Sequence, residues 1–424
     1  MTGPSRPLAA AIGCLPEYDP DALPVESARR VIADFVSPVR AVERVGIRAA
    51  LDRVLAGDVL SPFDVPASDN SAMDGYALRG ADLAADSITS LRIVGSAFAG
   101  RPFGGAVGPG EAVRIMTGAV MPGGCDTVVP QEHARVEEAR LVVPPGQSVG
   151  QHRRLRGEDL AAGRTALSGG RRLSPADLGL LASLGFAEVA VRRRLRVAFF
   201  STGDELRSIG EPLSPGQVYD SNRYTIHGML TRLGVDTIDM GVVRDEPEAL
   251  EDAMRAAGES ADAIVSSGGV SVGEADFTRE VLGRLGDVAF WRIAMRPGRP
   301  LAFGRIGGAA YFGLPGNPVA VMISFYFFAR DALLRMMGAA PTVPPVLRAT
   351  AQAGIRKRPG RTEFQRGVLS ASADGRMLVR LTGSQGSGVL RSMSEANCIV
   401  VLHHDQGDVN AGDAVDCLAF EGLV

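Results

Sequence analysis

Ser266-Ser267-Gly268-Gly269-Val270-Ser271-Val272-Gly273-Glu274-Ala275-Asp276 is the stretch that decides how the chain is read. The segment before it, Ala261-Asp262-Ala263-Ile264-Val265, is short, apolar and bounded by turn-forming residues, the pattern of a buried strand. After it, Phe277, Val281, Leu282 and Leu285 recur at helical spacing. The segment therefore reads as strand, glycine-rich turn, helix. Gly268, Gly269 and Gly273 let the backbone approach a ligand closely, and exposed N–H groups at a helix start favour an anion. Ser266, Ser267 and Ser271 add hydroxyls. Glu274 and Asp276 repel a bare phosphate but suit one that carries a metal. A plain tight connection in which Asp276 only caps its helix explains the same residues, and a glycine-rich turn alone favours that simpler reading.

Working outward, residues 196–338 alternate strands and helices. Arg196–Ser201 is a strand that ends at Ser201-Thr202-Gly203-Asp204-Glu205-Leu206. A helix over Arg223–Leu233 closes at Gly234, and Val235–Val243 is the next strand. Asp245 with Glu248 fits a capping box opening another helix, though a cap can also face a ligand. Strands over Val288–Arg292, Leu301–Arg305 and Tyr311–Leu314 lead into Pro315-Gly316-Asn317-Pro318 and an apolar helix to Met337. This alternation predicts a doubly wound α/β domain with a mostly parallel sheet, which binds ligands beyond the carboxyl ends of its strands. Glu205, Asp245, Gly268-Gly269, Asp276 and Pro315-Gly316-Asn317 all fall at such ends. Arg292, Arg296 and Arg299 sit where strand passes into turn, so at least two can project the same way and grip phosphate. A solvated edge explains them equally well.

The flanks differ in texture. Residues 1 to about 20 lack periodicity and read as poorly ordered. Val25–Phe35 reads as a helix with Ala28, Val31, Ile32 and Phe35 on one face, and Ala49–Leu55 as a second, short helix. Asp64–Arg79 is a polar loop in which Asp74 is the candidate acid; self-capping Asx turns are the simpler explanation. Short strands and Gly/Pro turns from Leu91 to Pro144 predict a small β domain in which Thr117 ends a strand. Arg153, Arg154 and Arg156 meet Glu158 and Asp159 within one turn. A helix starts near Ser174 and ends at Gly185. After the proline-rich Pro341–Pro345, short strands predict a second β domain. There Ser384-Gln385-Gly386-Ser387-Gly388 is a polar turn that can touch a ligand or simply close a hairpin.

Composition narrows the class. The chain has 424 residues, 46% of them apolar, with 52 Gly and 26 Pro and a net charge of −3. That length predicts several domains and many turns. The charge provides no basic field for nucleic acid. Cys14, Cys125, Cys398 and Cys417 are scattered, with no Cys-x-x-Cys pair, so zinc, iron–sulfur and disulfide frameworks are not expected. The apolar run Pro318–Ala329 is too short to span a bilayer. No signal-peptide-like start is visible. A cytoplasmic protein is the expectation.

Taken together and in order, Asp69-Asn70-Ser71-Ala72-Met73-Asp74-Gly75-Tyr76, Arg114-Ile115-Met116-Thr117-Gly118, Arg153-Arg154-Leu155-Arg156-Gly157-Glu158-Asp159, Ser201-Thr202-Gly203-Asp204-Glu205, the 266–276 stretch and Leu314-Pro315-Gly316-Asn317-Pro318 resemble the molybdopterin molybdenumtransferases. These are the MoeA family, which is similar to the gephyrin E domain. The likeness covers Val25 to Val424. It implies a multi-domain α/β plus β fold. The parts are an elongated linker domain (21–61 and 164–194), an inserted β domain (62–163), a molybdopterin-binding α/β domain (195–343) and a C-terminal β barrel-like domain (344–424). It implies a homodimer whose active-site cleft lies between the α/β domain of one subunit and the inserted domain of the other. The implied reaction inserts molybdate into adenylylated molybdopterin and releases AMP with Mg²⁺.

By motif position, Asp74 and Thr117 serve on the inserted-domain side, with Arg154, Asp159, Glu205, Asp245 and Asp276 as functional positions. Of these, Glu205, Asp245 and Asp276 are the candidate metal ligands. Ser267, Gly268, Gly269, Ser271, Arg292, Arg296, Pro315, Gly316, Asn317, Pro318 and Ser387 are the candidate pterin-binding residues. Molybdopterin adenylyltransferase and molybdoenzyme-maturation proteins are implied partners; nucleic acid and membrane are not. Where the family commonly carries lysines, this chain has Arg292, Arg296 and Arg299, which keep charge but alter donor geometry. A pterin-binding scaffold without turnover, or a paralogue taking tungstate, is the competing reading. A nucleotide-amidase relative of the same α/β domain fits less well, because the 69–76 and 114–118 motifs are retained.

Overall fold

The structure, a computed structural model, describes residues 19–269 and 276–421 together with Leu8, Ile12 and Leu423. For Asp276, Phe277 and Thr278 it describes the backbone alone. Ser271, and most of the amino-terminal stretch read as poorly ordered, lie outside the described residues. The chain divides into two compact units, one of Met1–Ala56, Gly170–Leu173 and Val189–Val424, the other of Gly57–Gly169 and Ser174–Glu188.

In the first unit the strand–helix alternation folds as a six-stranded sheet. Its strands are β1 (Arg196–Thr202), β2 (Asp236–Val243), β3 (Ala263–Ser267), β4 (Gly286–Arg292), β5 (Pro300–Ile306) and β6 (Ala309–Leu314). The helices between them are α1 (Ser221–Leu233), α2 (Pro247–Ser260) and α3 (Asp276–Leu285). Strand order is β2-β1-β3-β6-β5-β4, parallel through β6 and antiparallel beyond it. Every residue of β3 and β6 is buried, which only a sheet covered on both faces allows. The strand period of two divides β1 between two cores. Val197 and Phe199 pack with Ile226, Leu230, Phe303 and Phe312. Ala198 and Phe200 pack with Leu250, Met254, Ile264 and Tyr311. The chain reverses its direction of winding at β1, which lies between β2 and β3. The crevice of such a sheet opens at that switch point.

Three details depart from the sequence reading. Asp245 does not cap α2: the cap is Glu246, without a side-chain bond, and Asp245 belongs to a cavity described below. The segment 49–55 is not a helix. Ile47–Ala50 makes a single 3₁₀ turn, after which Val54 and Leu55 run extended. Their backbone groups bond Arg192 N, Arg171 O and Gly170 N, so tertiary pairing overrides a weak local preference. The helix expected to reach Met337 runs as Pro318–Ser324, a wide π turn over Phe325–Ala329, and Arg330–Met336. Phe327 of that turn stacks on Phe364, with ring centroids 3.9 Å apart.

Elsewhere in this unit Val25–Phe35 is helical, and its Ala28, Val31, Ile32 and Phe35 enter the main core, as their spacing predicts. The carboxyl-terminal strands Val346–Ala351, Thr362–Ala371, Met377–Leu381, Cys398–Leu402 and Ala414–Ala419 close into a barrel, because Thr362–Ala371 pairs with both Met377–Leu381 and Cys398–Leu402.

The second unit contains its own six-stranded sheet. Gly75–Leu78, inside the stretch read as a polar loop, is a fully buried strand between Glu111–Ile115 and Thr127–Pro130. Gly75 is required there: a Cβ would stand 2.1 Å from the Val129 carbonyl oxygen. Ser174 and Asp177 form a capping box for the helix Pro175–Ser183.

Candidate active-site cavity

A cavity of about 630 Å³ opens at the carboxyl ends of β1, β2, β3 and β6. Thr202, Gly203, Asp204 and Glu205 enter it from β1, Asp245 from beyond β2, and Ser267, Gly268 and Gly269 from β3. Pro315, Gly316, Asn317 and Pro318 follow β6, and Gly388 arrives from the carboxyl-terminal region. Residues more than 100 positions apart thus share one space because parallel strands deliver their following loops to the same edge.

Two glycines shape the rim. Gly268 has φ +96°, and a Cβ there would stand 2.3 Å from the Thr202 carbonyl oxygen. The β1 and β3 loops touch only because this position lacks a side chain. At Gly203 a Cβ would meet the Glu205 carboxylate oxygens at 2.6 and 2.8 Å, so that glycine makes room for the Glu205 head group.

The floor is polar and buried. Asn222 donates from Nδ2 to Ser267 Oγ at 2.8 Å and to the Gly316 carbonyl at 2.6 Å, joining the start of α1 to the ends of β3 and β6. Ser267 donates to the Pro315 carbonyl at 3.3 Å. Asp220 caps α1 and accepts from Ser201 Oγ at 3.0 Å and from Arg223 N at 3.1 Å, both on Oδ1. Neighbouring Ser266 points the other way, into the core, where its hydroxyl meets Tyr311 at 2.8 Å. Burial pushes that tyrosine up to about 12.

The charges in the lining are one-sided. Asp204, Glu205, Asp220 and Asp245 contribute carboxylates, and no lysine or arginine stands among the described residues that line the cavity. Arg292 and Arg296 are not lining residues. Arg292 pairs with Asp21 at 3.3 Å, and Arg299 donates to the Asp21 carbonyl at 3.2 Å. The two do project together, but onto the segment before the first helix. Arg296 lies in a short strand beside Glu363.

Sequence reasoning missed Asp220 and Asn222, whose signal was their place at the cap and in the first turn of a helix. It also missed Arg366. That side chain is 1% exposed; its Nε donates to Ser392 Oγ at 3.0 Å and its NH2 to the Ser384 and Gly386 carbonyls at 3.3 and 3.0 Å. It therefore shapes the turn that carries Ser387, whose carbonyl accepts from Val319 N at 3.0 Å, behind the Pro315–Pro318 loop. Burial and nearby Arg296 push the guanidinium down to about 10, still charged at neutral pH. An arginine among the inward residues of Thr362–Ala371 was the available clue.

In the second unit Asp74 is exposed and accepts from Thr117 N and Thr117 Oγ1, each at 2.7 Å. Those bonds hold its carboxyl below the usual carboxylate range. Arg153 pairs with Asp69 at 3.7 Å and Arg156 with Asp64 at 2.6 Å. The Ala162 amide and Arg156 hold Asp64 low in the same way. Arg154 is paired in register with Asn70, and Arg154 and Asp159 are both exposed. Motifs far apart in sequence are thus gathered within this unit too.

Comparison with known proteins agrees across the chain. Residues 23–185 match the family "MoeA N-terminal region (domain I and II)", 198–335 the "Probable molybdopterin binding domain", and 348–420 the "MoeA C-terminal region (domain IV)". A molybdopterin molybdenumtransferase of Haemophilus influenzae is 41% identical over 95% of this chain and 100% of its own. One of Nostoc is 37% identical over 88% of this chain and 87% of its own. The crystal structure of the molybdopterin biosynthesis moeA protein of Pyrococcus horikoshii superposes with a TM-score of 0.83 at 26% identity, over 94% of this chain and 100% of that one.

Proposed function

The chain belongs to the molybdopterin molybdenumtransferase family, a transferase of molybdenum cofactor biosynthesis, and from that membership we propose that it is the molybdenum insertase. Its substrates are molybdate and adenylylated molybdopterin, and AMP leaves as insertion proceeds. The observation that carries this reading is the cavity at the carboxyl edge of the α/β sheet, where backbone approaches closely at Gly268 and four carboxylates stand without a basic side chain. A phosphorylated ligand cannot enter such a lining bare; it needs a divalent cation between the two sets of negative charge.

The donor set fits Mg²⁺. Glu205 and Asp245 offer hard oxygen ligands, and no group of three or more His, Cys, Asp or Glu close enough to hold a metal occurs among the described residues. Mg²⁺ commonly takes one or two carboxylates and fills its shell with water and substrate phosphate. Asp276 opens α3 and is the further candidate ligand. Glu205 and Asp245 would hold Mg²⁺ there, and the ion would supply charge neutralisation to the substrate phosphates. The chain's own residues orient the substrate. Asn222 fixes the β3 and β6 loops against each other. Gly268 lets the β1 and β3 loops close against each other at the rim, and Arg366 sets the turn bearing Ser387.

Asp74 and Thr117, with Arg154 and Asp159, form the second half of the site, supplied by the partner in a homodimer. Exposed Met73, Val120 and Leu155 near that cluster support a covered surface there. Among the described residues no helix is long and apolar enough to cross a membrane, in keeping with work in the cytoplasm. An adenylyltransferase supplies the substrate and maturation proteins receive the product.

The test supplies purified protein with adenylylated molybdopterin, Mg²⁺ and either molybdate or tungstate, and follows AMP. Release with molybdate supports the insertase. Tight pterin binding without AMP establishes the scaffold instead, and release with tungstate alone establishes the altered anion.

A further inference from the structure

Among the described residues that line the cavity, Tyr219 is the only aromatic. It is 44% exposed, and its neighbour Val218, also in the lining, is 50% exposed. Leu206, Pro300, Pro315 and Pro318 add to this apolar share of a wall whose charged members are all acidic. Phosphate gains nothing from such carbon surface, so the carboxylates account for only part of the cavity. Ligand sites commonly join an apolar wall to a few placed polar groups.

The ring is fixed before any ligand arrives. The short strands Leu206–Arg207 and Val218–Tyr219 pair in parallel, with Arg207 opposite Tyr219. The amides on either side of Tyr219 bond across that pair, Val218 N to the Glu205 carbonyl at 2.9 Å and Asp220 N to the Arg207 carbonyl at 3.1 Å. At its far end the phenol donates to the Glu211 carbonyl at 2.8 Å, and Glu211 is not a lining residue. With the main chain held from both sides and the hydroxyl engaged, what Tyr219 offers the cavity is its ring. Because Val218 bonds Glu205, the ring and that candidate metal ligand share one piece of backbone.

A ring with a fixed plane suits a flat partner. Its face carries partial negative charge, which disfavours phosphate and favours an electron-poor ring stacked with an offset. Fixing it in advance removes that ordering cost from binding. We propose that Tyr219 is the platform on which a planar nitrogen heterocycle of the substrate stacks while the phosphates sit with the cation at Glu205. This rests on the reading of the cavity as the substrate site. Adenylylated molybdopterin has two candidate rings, the adenine and the pyrimidine part of the pterin, and the stacking chemistry is the same for both.

The test measures equilibrium binding of AMP with Mg²⁺, of 6-hydroxymethylpterin, and of pyrophosphate with Mg²⁺, which has the phosphates but no ring. Tyr219→Ala is expected to weaken AMP or the pterin about tenfold, the usual effect of deleting one aromatic partner from a base stack, and to leave pyrophosphate unchanged. Tyr219→Phe keeps the ring and drops the Glu211 bond, so its affinity should stay within about threefold of wild type. A loss confined to AMP assigns the platform to adenine, a loss confined to the pterin assigns it to the pterin, and a loss of both shows that it takes either ring. Thermal melts check folding. Should Tyr219→Ala not fold, Tyr219→Leu keeps bulk without a π face and should show the same loss. Unchanged affinity for both heterocycles in the folded variant, a parallel loss of pyrophosphate, or no recovery in Tyr219→Phe overturns the assignment. So does the absence of saturable binding of either heterocycle to wild type at millimolar ligand. A weakened dimer at unchanged affinity would also overturn it and give the ring to a contact between copies. No turnover enters these measurements. A failed AMP-release assay with ring-dependent binding intact would therefore sink the insertase reading and leave this one standing.

Discussion

The α/β cavity and the Asp74–Thr117 cluster both gather polar residues from distant motifs, but in opposite physical states. Among the described residues the cavity buries its polar groups, leaves Thr202 Oγ1, Asp220 Oδ2 and Asn222 Oδ1 without a hydrogen bond, and has an entirely acidic set of charged lining residues. In the second unit the cluster lies at the surface. There Thr117 satisfies Asp74, and Arg153 and Arg156 pair with Asp69 and Asp64. A buried, unbalanced site awaits a ligand that completes it. A self-satisfied surface site is better suited to presenting groups than to enclosing them. Substitutions in the first should therefore disturb stability and binding together, and those in the second should separate them.

The sharpest contrast uses one glycine from each region. Gly268→Ala would force a Cβ to 2.3 Å from the Thr202 carbonyl at φ +96°, so backbone must move. A loss of about 3 kcal/mol in chemical denaturation, with pterin binding lost as well, is expected from strain plus overpacking. Gly118, beside Thr117, has φ +78° but nothing within 4 Å of its missing Cβ. Gly118→Ala should cost only about 1 kcal/mol, the conformational strain alone. Equal losses at the two positions would erase the distinction between the regions.

The smallest effect concerns the Asp74 proton. Thr117→Val removes the hydroxyl bond and keeps the amide bond, so the Asp74 carboxyl should titrate closer to the ordinary range, read by carbon NMR of that carboxylate. In wild type the folded-state value is depressed. Its contribution is therefore present above the unfolded carboxyl value near about 3.9 and is lost as pH falls through the folded value. An unshifted titration in Thr117→Val would show that the amide alone sets it.

How far these regions could be read in the sequence differs for physical reasons. The sheet was legible because buried parallel strands are continuous apolar runs, as Val197–Phe200 and Ala263–Val265 are, and because Gly234 marks a helix end. The carboxyl-terminal β domain was legible from its short apolar strands, such as Cys398–Leu402. The strand Gly75–Leu78 was hidden by acidic and amide neighbours that belong to the loop before it. Extended pairing at Val54 and Leu55 depends on partners more than 100 residues away, which no local pattern records. Among site residues, the strand-end loops indicated Glu205, Asp245, Ser267 and Pro315–Pro318, and these do line one cavity. The arginines at 292 and 299 matched a phosphate-binding pattern, and in the structure both meet Asp21. Asp220 went unread because nothing local marks which residue before a helix will cap it.

An all-acidic cavity admits a phosphorylated ligand only together with a divalent cation. Mn²⁺ in place of Mg²⁺, followed by electron paramagnetic resonance with and without AMP, tests it directly. Wild-type protein should bind the ion and AMP cooperatively, each tightening the other, and Glu205→Gln should lose that coupling. AMP that binds equally well in the presence of excess chelator would show that no cation is needed.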